Sequence, residues 1–224
     1  MAAYFVTATG TDIGKTFVTA GLIRTMRGMG LRPSALKPVV SGFDMARAAE
    51  SDPGILLDSM GEGITEDALR RIAPWRFSAP LSPGMAAALE GREIDFAALI
   101  GFCRDVLRGT SQPLFIEGVG GVMVPLDREH TVLDWISALE LPVLLVAGTY
   151  LGSISHTLTA LDVLARARLD VSALVLNDSG NNPVAPDETA ATIARFTHVP
   201  IHLVPRVNGS SGADEAFRRL AKLL

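Results

Sequence analysis

A single cysteine, Cys103, excludes both a disulfide framework and a thiolate metal cluster. It fits a reducing compartment, and its setting in "LIGFCRDVL" makes it a core residue of a helix. Histidine is scarce as well, at four residues. His198 and His202 flank Pro200, which disrupts helical spacing, and His130 stands alone, so no histidine metal centre is expected. No run reaches the roughly 18 apolar residues of a membrane span without charges or turn signals. "LPVLLVAGTYLGSIS" is apolar, but its glycines and β-branched start suit a buried strand and a turn. No basic segment precedes an apolar one at the start, so no targeting segment is read and a cytoplasmic protein is expected. The 20 basic residues are scattered among 24 acidic ones, for a net charge of -4. That leaves no broad nucleic-acid surface, yet it permits local basic pockets for anions. Trp75 and Trp135, lacking a basic stripe around them, are expected to pack rather than to stack on bases.

What is present is apolar and well punctuated. With 48% hydrophobic residues in 224, the chain can bury one good core, and residues 1–224 are read as one domain. Short apolar runs at Tyr4–Ala8, Ser34–Lys37, Leu114–Glu117, Val143–Ala147, Ala173–Leu176 and Ile201–Val204 read as strands. Several are apolar throughout, as expected when helices cover both faces of a parallel sheet. Helical patterns lie between them at about 15–29, 84–90, 95–108, 131–140, 153–167, 187–196 and 213–223. In the 153–167 segment Ile154, Leu158, Leu161 and Leu164 form one packing stripe, and Asp187 behind Pro186 is the expected cap of its helix. Such alternation predicts a doubly wound α/β fold. Residues 40–83, with Gly, Pro and Asp at turn-like spacing, read as an irregular excursion able to carry substrate contacts.

The chemistry begins at "YFVTATGTDIGKTF", residues 4–17. A strand leads into small residues and then Gly14-Lys15-Thr16 at the start of a helix. Gly10 and Gly14 are expected to turn the backbone so that N–H groups face an anion. Lys15 would neutralise phosphate oxygens, Thr16 could place a hydroxyl on Mg²⁺, and the helix adds its positive end. The strict phosphate-loop spacing fails by one glycine, since Thr9 stands five residues before Gly14. Position between strand and helix, more than the tripeptide itself, argues for a nucleotide site.

Other candidates sit where strands end. Glu117, in "PLFIEGVGGVMVPL", would face the crevice beside the phosphate loop, with Gly118, Gly120 and Gly121 permitting close approach of a ligand. It suits a metal ligand, or a capping acid beside a tight turn. Asp52 in "ESDP" suits a metal site or a solvated turn. Lys37 in "ALKPVVSG", with Ser41 after it, fits a pocket or a surface edge equally by spacing alone. Asn177 is compatible with an adenine contact or with a turn.

Taken together and in order, "TGTDIGKT", "LKPVVSG", "ESD", "IEGVGG", "YLGSISH" and "VLND" resemble the dethiobiotin synthetase family over essentially the whole chain. The resemblance implies a P-loop NTPase-like α/β fold with a mostly parallel central sheet flanked by helices on both faces. It further implies a homodimer that makes dethiobiotin from 7,8-diaminononanoate, CO2 and ATP, with Mg²⁺, in biotin synthesis. On the nucleotide side it implies Asp12, Ile13, Gly14, Lys15, Thr16 and Phe17 at the phosphates, with Asn177, Pro205 and Arg206 around the base. Thr16, Asp52 and Glu117 would surround Mg²⁺. Thr11, Lys37, Ser41, Tyr150, Leu151, Gly152 and Ser153 would line the substrate, the last three, at the helix start that carries His156, where the diamine's carboxylate meets a neighbouring subunit. Lys15 and Lys37 would carry the catalysis.

Two departures stand out. Ala8 occupies the family's usual first loop glycine and Gly10 its customary Asp, so Gly10 is expected to supply the loop's flexibility. Tyr150 stands where the family commonly has Lys, replacing a cation by a phenol that is neutral near pH 7. The main alternative is a partition-type ATPase acting through protein or DNA partners. Its second loop lysine would fall at Gly10, and "GADEAFRRLAKLL" carries too little basic or apolar surface to tether a membrane.

Overall fold

The computed structural model describes residues 2–180, 182–206 and 210–224. Its main sheet has six strands: β1 (Ala3–Ala8), β2 (Ser34–Leu36), β5 (Leu114–Glu117), β6 (Val143–Gly148), β7 (Val171–Asn177) and β8 (Ile201–Val204). They lie in the order β2-β5-β1-β6-β7-β8, and every pairing between neighbours is parallel. Parallel neighbours need crossovers, which the sequence supplies as helices. These are α1 (Lys15–Gly28), α5 (Phe96–Gly109), α6 (Val132–Leu139), α7 (Ser153–Arg166) and α8 (Pro186–Ile193), while α9 (Ser210–Ala221) follows the last strand. All residues of β1, β5 and β6 are buried, so both faces of the sheet centre are covered. That is why these strands read as unbroken apolar runs. Phe5 of β1 meets Trp135 of α6 edge to face at 5.0 Å between ring centres, both fully buried. Each such aromatic contributes roughly 1.5–3 kcal/mol by burial.

The excursion is more regular than its sequence suggests. It holds β3 (Val39–Ser41) and β4 (Trp75–Phe77), paired in parallel as a small second sheet, a 3₁₀ turn at Met45–Glu50, α2 (Asp52–Met60) and α3 (Glu66–Ile72). The short α4 (Pro83–Leu89) follows it. Three-residue strands are too short to show a period. In α2, Pro53 and Gly54 imitate a turn, yet Pro needs no amide partner in a first helical turn. A Cβ on Gly54 would overlap the Ala48 carbonyl, so glycine lets α2 fold back on the preceding turn. Ser51 caps it, its Oγ accepting from the Gly54 amide at 3.3 Å.

Two helix details correct the sequence reading. Asp187 does not cap α8: Ala185 holds the cap position, Pro186 begins the helix and Asp187 lies in its first turn. In α7 the buried stripe is Ser153, Thr157, Ala160, Leu161 and Leu164, with Ile154 and Leu158 only partly buried at its margin. Thr157 is tolerated there because its hydroxyl donates to the Ser153 carbonyl at 2.7 Å.

Candidate active site

Because all six strands of the main sheet run the same way, their carboxyl ends lie along one edge. The chain leaves β1 for β2 on one side and later takes up β6 on the other. This reversal opens a crevice beside β1, where ligands bind in such sheets. The candidate residues fall on this edge: 9–16 after β1, Lys37 after β2, Glu117 at the end of β5, Tyr150 after β6, Asn177 at the end of β7, and Pro205 and Arg206 after β8.

The loop after β1 is turned by Asp12 (φ 57°) and Gly14 (φ 101°), not by Gly10, which takes no positive φ. Gly10 also has room for a Cβ, so the flexibility expected of it is not what shapes the loop. Its carbonyl instead accepts from Lys15. Gly14 caps α1 without a side-chain bond, which leaves first-turn amides to a ligand. A Cβ on Gly14 would overlap the Asn177 side-chain amide, whose Nδ2 donates to the Ile13 carbonyl at 2.9 Å. Asn177 therefore ties the end of β7 to the loop, a role that no turn or base-pocket reading of it anticipates. Arg206 packs against Gly180 (φ 80°), where a Cβ would overlap its guanidinium, so Arg206 and Asn177 flank the same turn. Phe17 points to α9, its ring 5.6 Å from that of Phe217.

Behind the loop the charges converge. Lys15, 6% exposed, donates through Nζ to the Gly120 carbonyl at 2.7 Å and to that of Gly10 at 3.3 Å. Lys37, 2% exposed, reaches Glu117 Oε1 at 2.6 Å, Asp52 Oδ2 at 2.8 Å and the Gly118 carbonyl at 2.9 Å. Its three donors thus have three acceptors. Thr16 Oγ1 donates to the same Glu117 Oε1 at 2.6 Å. Burial alone would push the Lys37 ammonium down, but Glu117 and Asp52 outweigh it and hold its pKa above the usual lysine value. Lys15 goes the other way. Burial, then the nearby Lys37 charge, pull it down to about 8 against the weaker attraction of the acids. Burial raises the Asp52 carboxyl, but Lys37 and then Thr16 overcome this and leave it below the usual range.

The donor set fits Mg²⁺. Glu117 is fully buried, and its Oε2 has no hydrogen-bond partner. A buried carboxylate oxygen left bare is costly unless something cationic completes it. Thr16 and Asp52 lie beside it. Among the described residues no group of three or more His, Cys, Asp or Glu side chains forms a self-contained metal cage. Mg²⁺ asks for less: one or two carboxylates, with waters and substrate phosphates filling the other positions.

The rest of the predicted pocket is looser. Ser41 ends β3, its Oγ buried without a partner, and Thr11 stands exposed beside Gly120. Leu151 is 84% exposed, and Gly152 (φ 96°) caps α7 with no side-chain bond, leaving that helix end open, while Ser153 is buried. The Tyr150 hydroxyl lies 2.8 Å from His156 Nδ1. Sequence reasoning missed the Thr149–Ser179 pair, where each backbone amide donates to the other residue's hydroxyl at 3.1 and 3.0 Å. These bonds join the ends of β6 and β7; both residues follow strand ends, which was the available signal.

Comparison with known proteins bears on what this edge is. The profile of the AAA domain family matches residues 2–207. The ATP-dependent dethiobiotin synthetase BioD of Acidiphilium cryptum is 46% identical over 98% of this chain and 100% of its own length. That of Caulobacter sp. (strain K31) is 49% identical over 92% and 89%. The chain belongs to the dethiobiotin synthetase family. The fold of the chain is similar to that of solved ATPases. The cell division ATPase MinD of Pyrococcus furiosus superposes with a TM-score of 0.59 at 15% identity, covering 100% of this chain and 98% of that one. A ParA family ATPase from Chlorobium tepidum gives 0.59 at 12%, covering 100% and 99%. At such identities the likeness is one of fold, and the partition-type alternative is not favoured. No helix among the described residues is long and apolar enough to cross a membrane.

Proposed function

We propose that this chain uses ATP and Mg²⁺ to carboxylate 7,8-diaminononanoate with CO2 and close the product to dethiobiotin, releasing ADP and phosphate. The observation that carries the reading is the convergence of Lys15, Thr16, Lys37 and Glu117 behind an open helix start, in a chain of this family. One amine of the substrate adds to CO2 to give a carbamate. A carbamate oxygen then attacks the γ-phosphorus as ADP leaves, and the second amine attacks the carbonyl carbon and expels phosphate. Lys15 and the α1 amides would hold the phosphates, and Lys37 would stabilise the carbamate and the charge building up during transfer. Bound Mg²⁺ would supply further neutralisation of the phosphate oxygens, held by Thr16, Asp52 and Glu117. Asn177, Pro205 and Arg206 would border the base.

Thr11, Ser41 and the Tyr150–Ser153 turn would line the diamine, the open start of α7 receiving its carboxylate. The exposed Leu151 beside the open start of α7 supports a second copy of the chain completing the pocket. The packing of α2 against α1 supports treating the excursion as part of one domain.

The deciding assay supplies diaminononanoate, Mg-ATP and labelled bicarbonate. One labelled carbon should enter each cyclic urea for each ADP released, and diamine-dependent phosphate release should fall to background without CO2. ATP hydrolysis that persists with no urea product would refute the reaction while sparing the nucleotide site.

Tyr150 offers a finer test. Tyr150→Lys should keep or improve turnover, since it restores the cation common at this position, with His156 within reach to share a hydrogen bond. A loss of about tenfold or more in kcat/KM for the diamine, with the fold intact by circular dichroism, would give the phenol a role of its own.

A further inference from the structure

Lys37 holds a positive charge among the atoms proposed to bind the metal. Its ammonium contacts Glu117 Oε1 and Asp52 Oδ2 at 2.6 and 2.8 Å, and the Thr16 hydroxyl spends its proton on that same Glu117 oxygen. A hydroxyl that coordinates a cation must offer a lone pair instead. Glu117 Oε2 is bare and open to a cation, but it belongs to the same carboxylate whose Oε1 already accepts from the Lys37 ammonium. A divalent ion joining this arrangement would sit within a few ångströms of an ammonium that is 2% exposed, where water screens their repulsion poorly. That repulsion disfavours holding both charges on the Glu117 and Asp52 carboxylates at once.

We propose that Lys37 is a place-holder cation, its ammonium occupying the position between Glu117 and Asp52 until a divalent ion arriving with the nucleotide exchanges with it. The inference rests on the reading above that Glu117, Thr16 and Asp52 bind such an ion. The backbone need not move: the Lys37 amide is fixed by its bond to the Ile72 carbonyl at 2.9 Å, and Pro38 stiffens the next residue. The flexible four-carbon stem alone can carry the ammonium from the carboxylates to the reacting groups. Two consequences follow. Free divalent ions bind poorly without nucleotide, and Lys37 reaches substrate only once nucleotide and metal are in place.

Mn²⁺ is a direct probe, because its free form is counted by electron paramagnetic resonance without any turnover. Without nucleotide, Lys37→Met should bind Mn²⁺ more tightly than the wild-type protein, on the order of tenfold or more. The gap should narrow when the non-hydrolysable analogue AMP-PCP is present. Equal or weaker binding by Lys37→Met overturns the exchange. If Lys37→Met does not fold alone, Mn²⁺ added during refolding should restore its near-ultraviolet circular dichroism, and failure to do so overturns the proposal equally. Glu117→Gln separates the two levels. If AMP-PCP and Mn²⁺ bind this variant as tightly as wild type, the metal site itself is wrong. If they bind it more weakly while Lys37→Met behaves as wild type, only the exchange is wrong.

Discussion

Replacing Lys15 by alanine should lower turnover a hundredfold or more, on the order of 3 kcal/mol of transition-state stabilisation. The residue starts α1, directly after the positive-φ Gly14, and its Nζ is held against two carbonyls rather than an acid. Carbonyl dipoles hold an ammonium less firmly than a carboxylate does, so the arriving phosphates can draw it away. Its depressed pKa of about 8 adds a signature that a structural lysine would lack. Below about pH 8 the group is already charged and ready for phosphate. Above it, the neutral amine must regain a proton, because neighbouring phosphate anions favour the charged form. Near pH 8, binding of the ATP analogue should therefore take up a fraction of a proton, up to about one half. Calorimetry in two buffers of different ionisation enthalpy reads this directly, and Lys15→Ala should abolish the uptake. Unchanged steady-state turnover in a folded Lys15→Ala protein would remove Lys15 from the mechanism.

Lys37→Ala is expected to fail in two ways. Turnover should fall about a hundredfold or more, well beyond any weakening of Mg-ATP binding, because Lys37 is assigned to the carbamate and not to nucleotide affinity. The fold should also lose stability, by roughly 3–5 kcal/mol, since removing one partner leaves a buried carboxylate uncompensated. Glu117 is fully buried and loses its ammonium, whereas Asp52, with its side chain 44% exposed, can turn to water. Denaturant unfolding and steady-state kinetics on the same preparation test both parts. Nucleotide binding lost in proportion to turnover would place Lys37 on the phosphates instead. Unchanged stability would mean that the buried cluster reorganises at little cost.

Much of the architecture is legible in the chain. The six main strands are found within two residues of their predicted ends, and burial of every residue of β1, β5 and β6 made those three plainest. The crossover helices, α5 and α6 among them, show a period long enough to read. The excursion resisted for the opposite reason. β3 and β4 have three residues each, and in α2 the Pro and Gly that look like a turn serve a helix start and a close approach. Local pattern could not distinguish these uses, because the neighbour that makes Gly54 necessary is the Ala48 carbonyl of the preceding turn.

The candidate site divides along the same line. Gly14-Lys15-Thr16 between a strand and a helix marks an anion site by itself, since strand, turn and helix start are all local. The ordered run of motifs is enough to place the chain in its family. Spacing could not settle whether Lys37 faced a pocket, whether Asp52 was a solvated turn, or what Asn177 touches. Lys37 and Glu117 are 80 residues apart, and Asn177 is 164 from Ile13. Only the parallel order β2-β5-β1-β6-β7-β8 brings those strand ends to one edge. That edge decided that Lys37 lies between two acids, that Asp12 and Gly14 rather than Gly10 turn the loop, and that Asn177 braces it. Hydrogen bonds and charge act over a few ångströms in space, so the sequence could name these groups but not their partners.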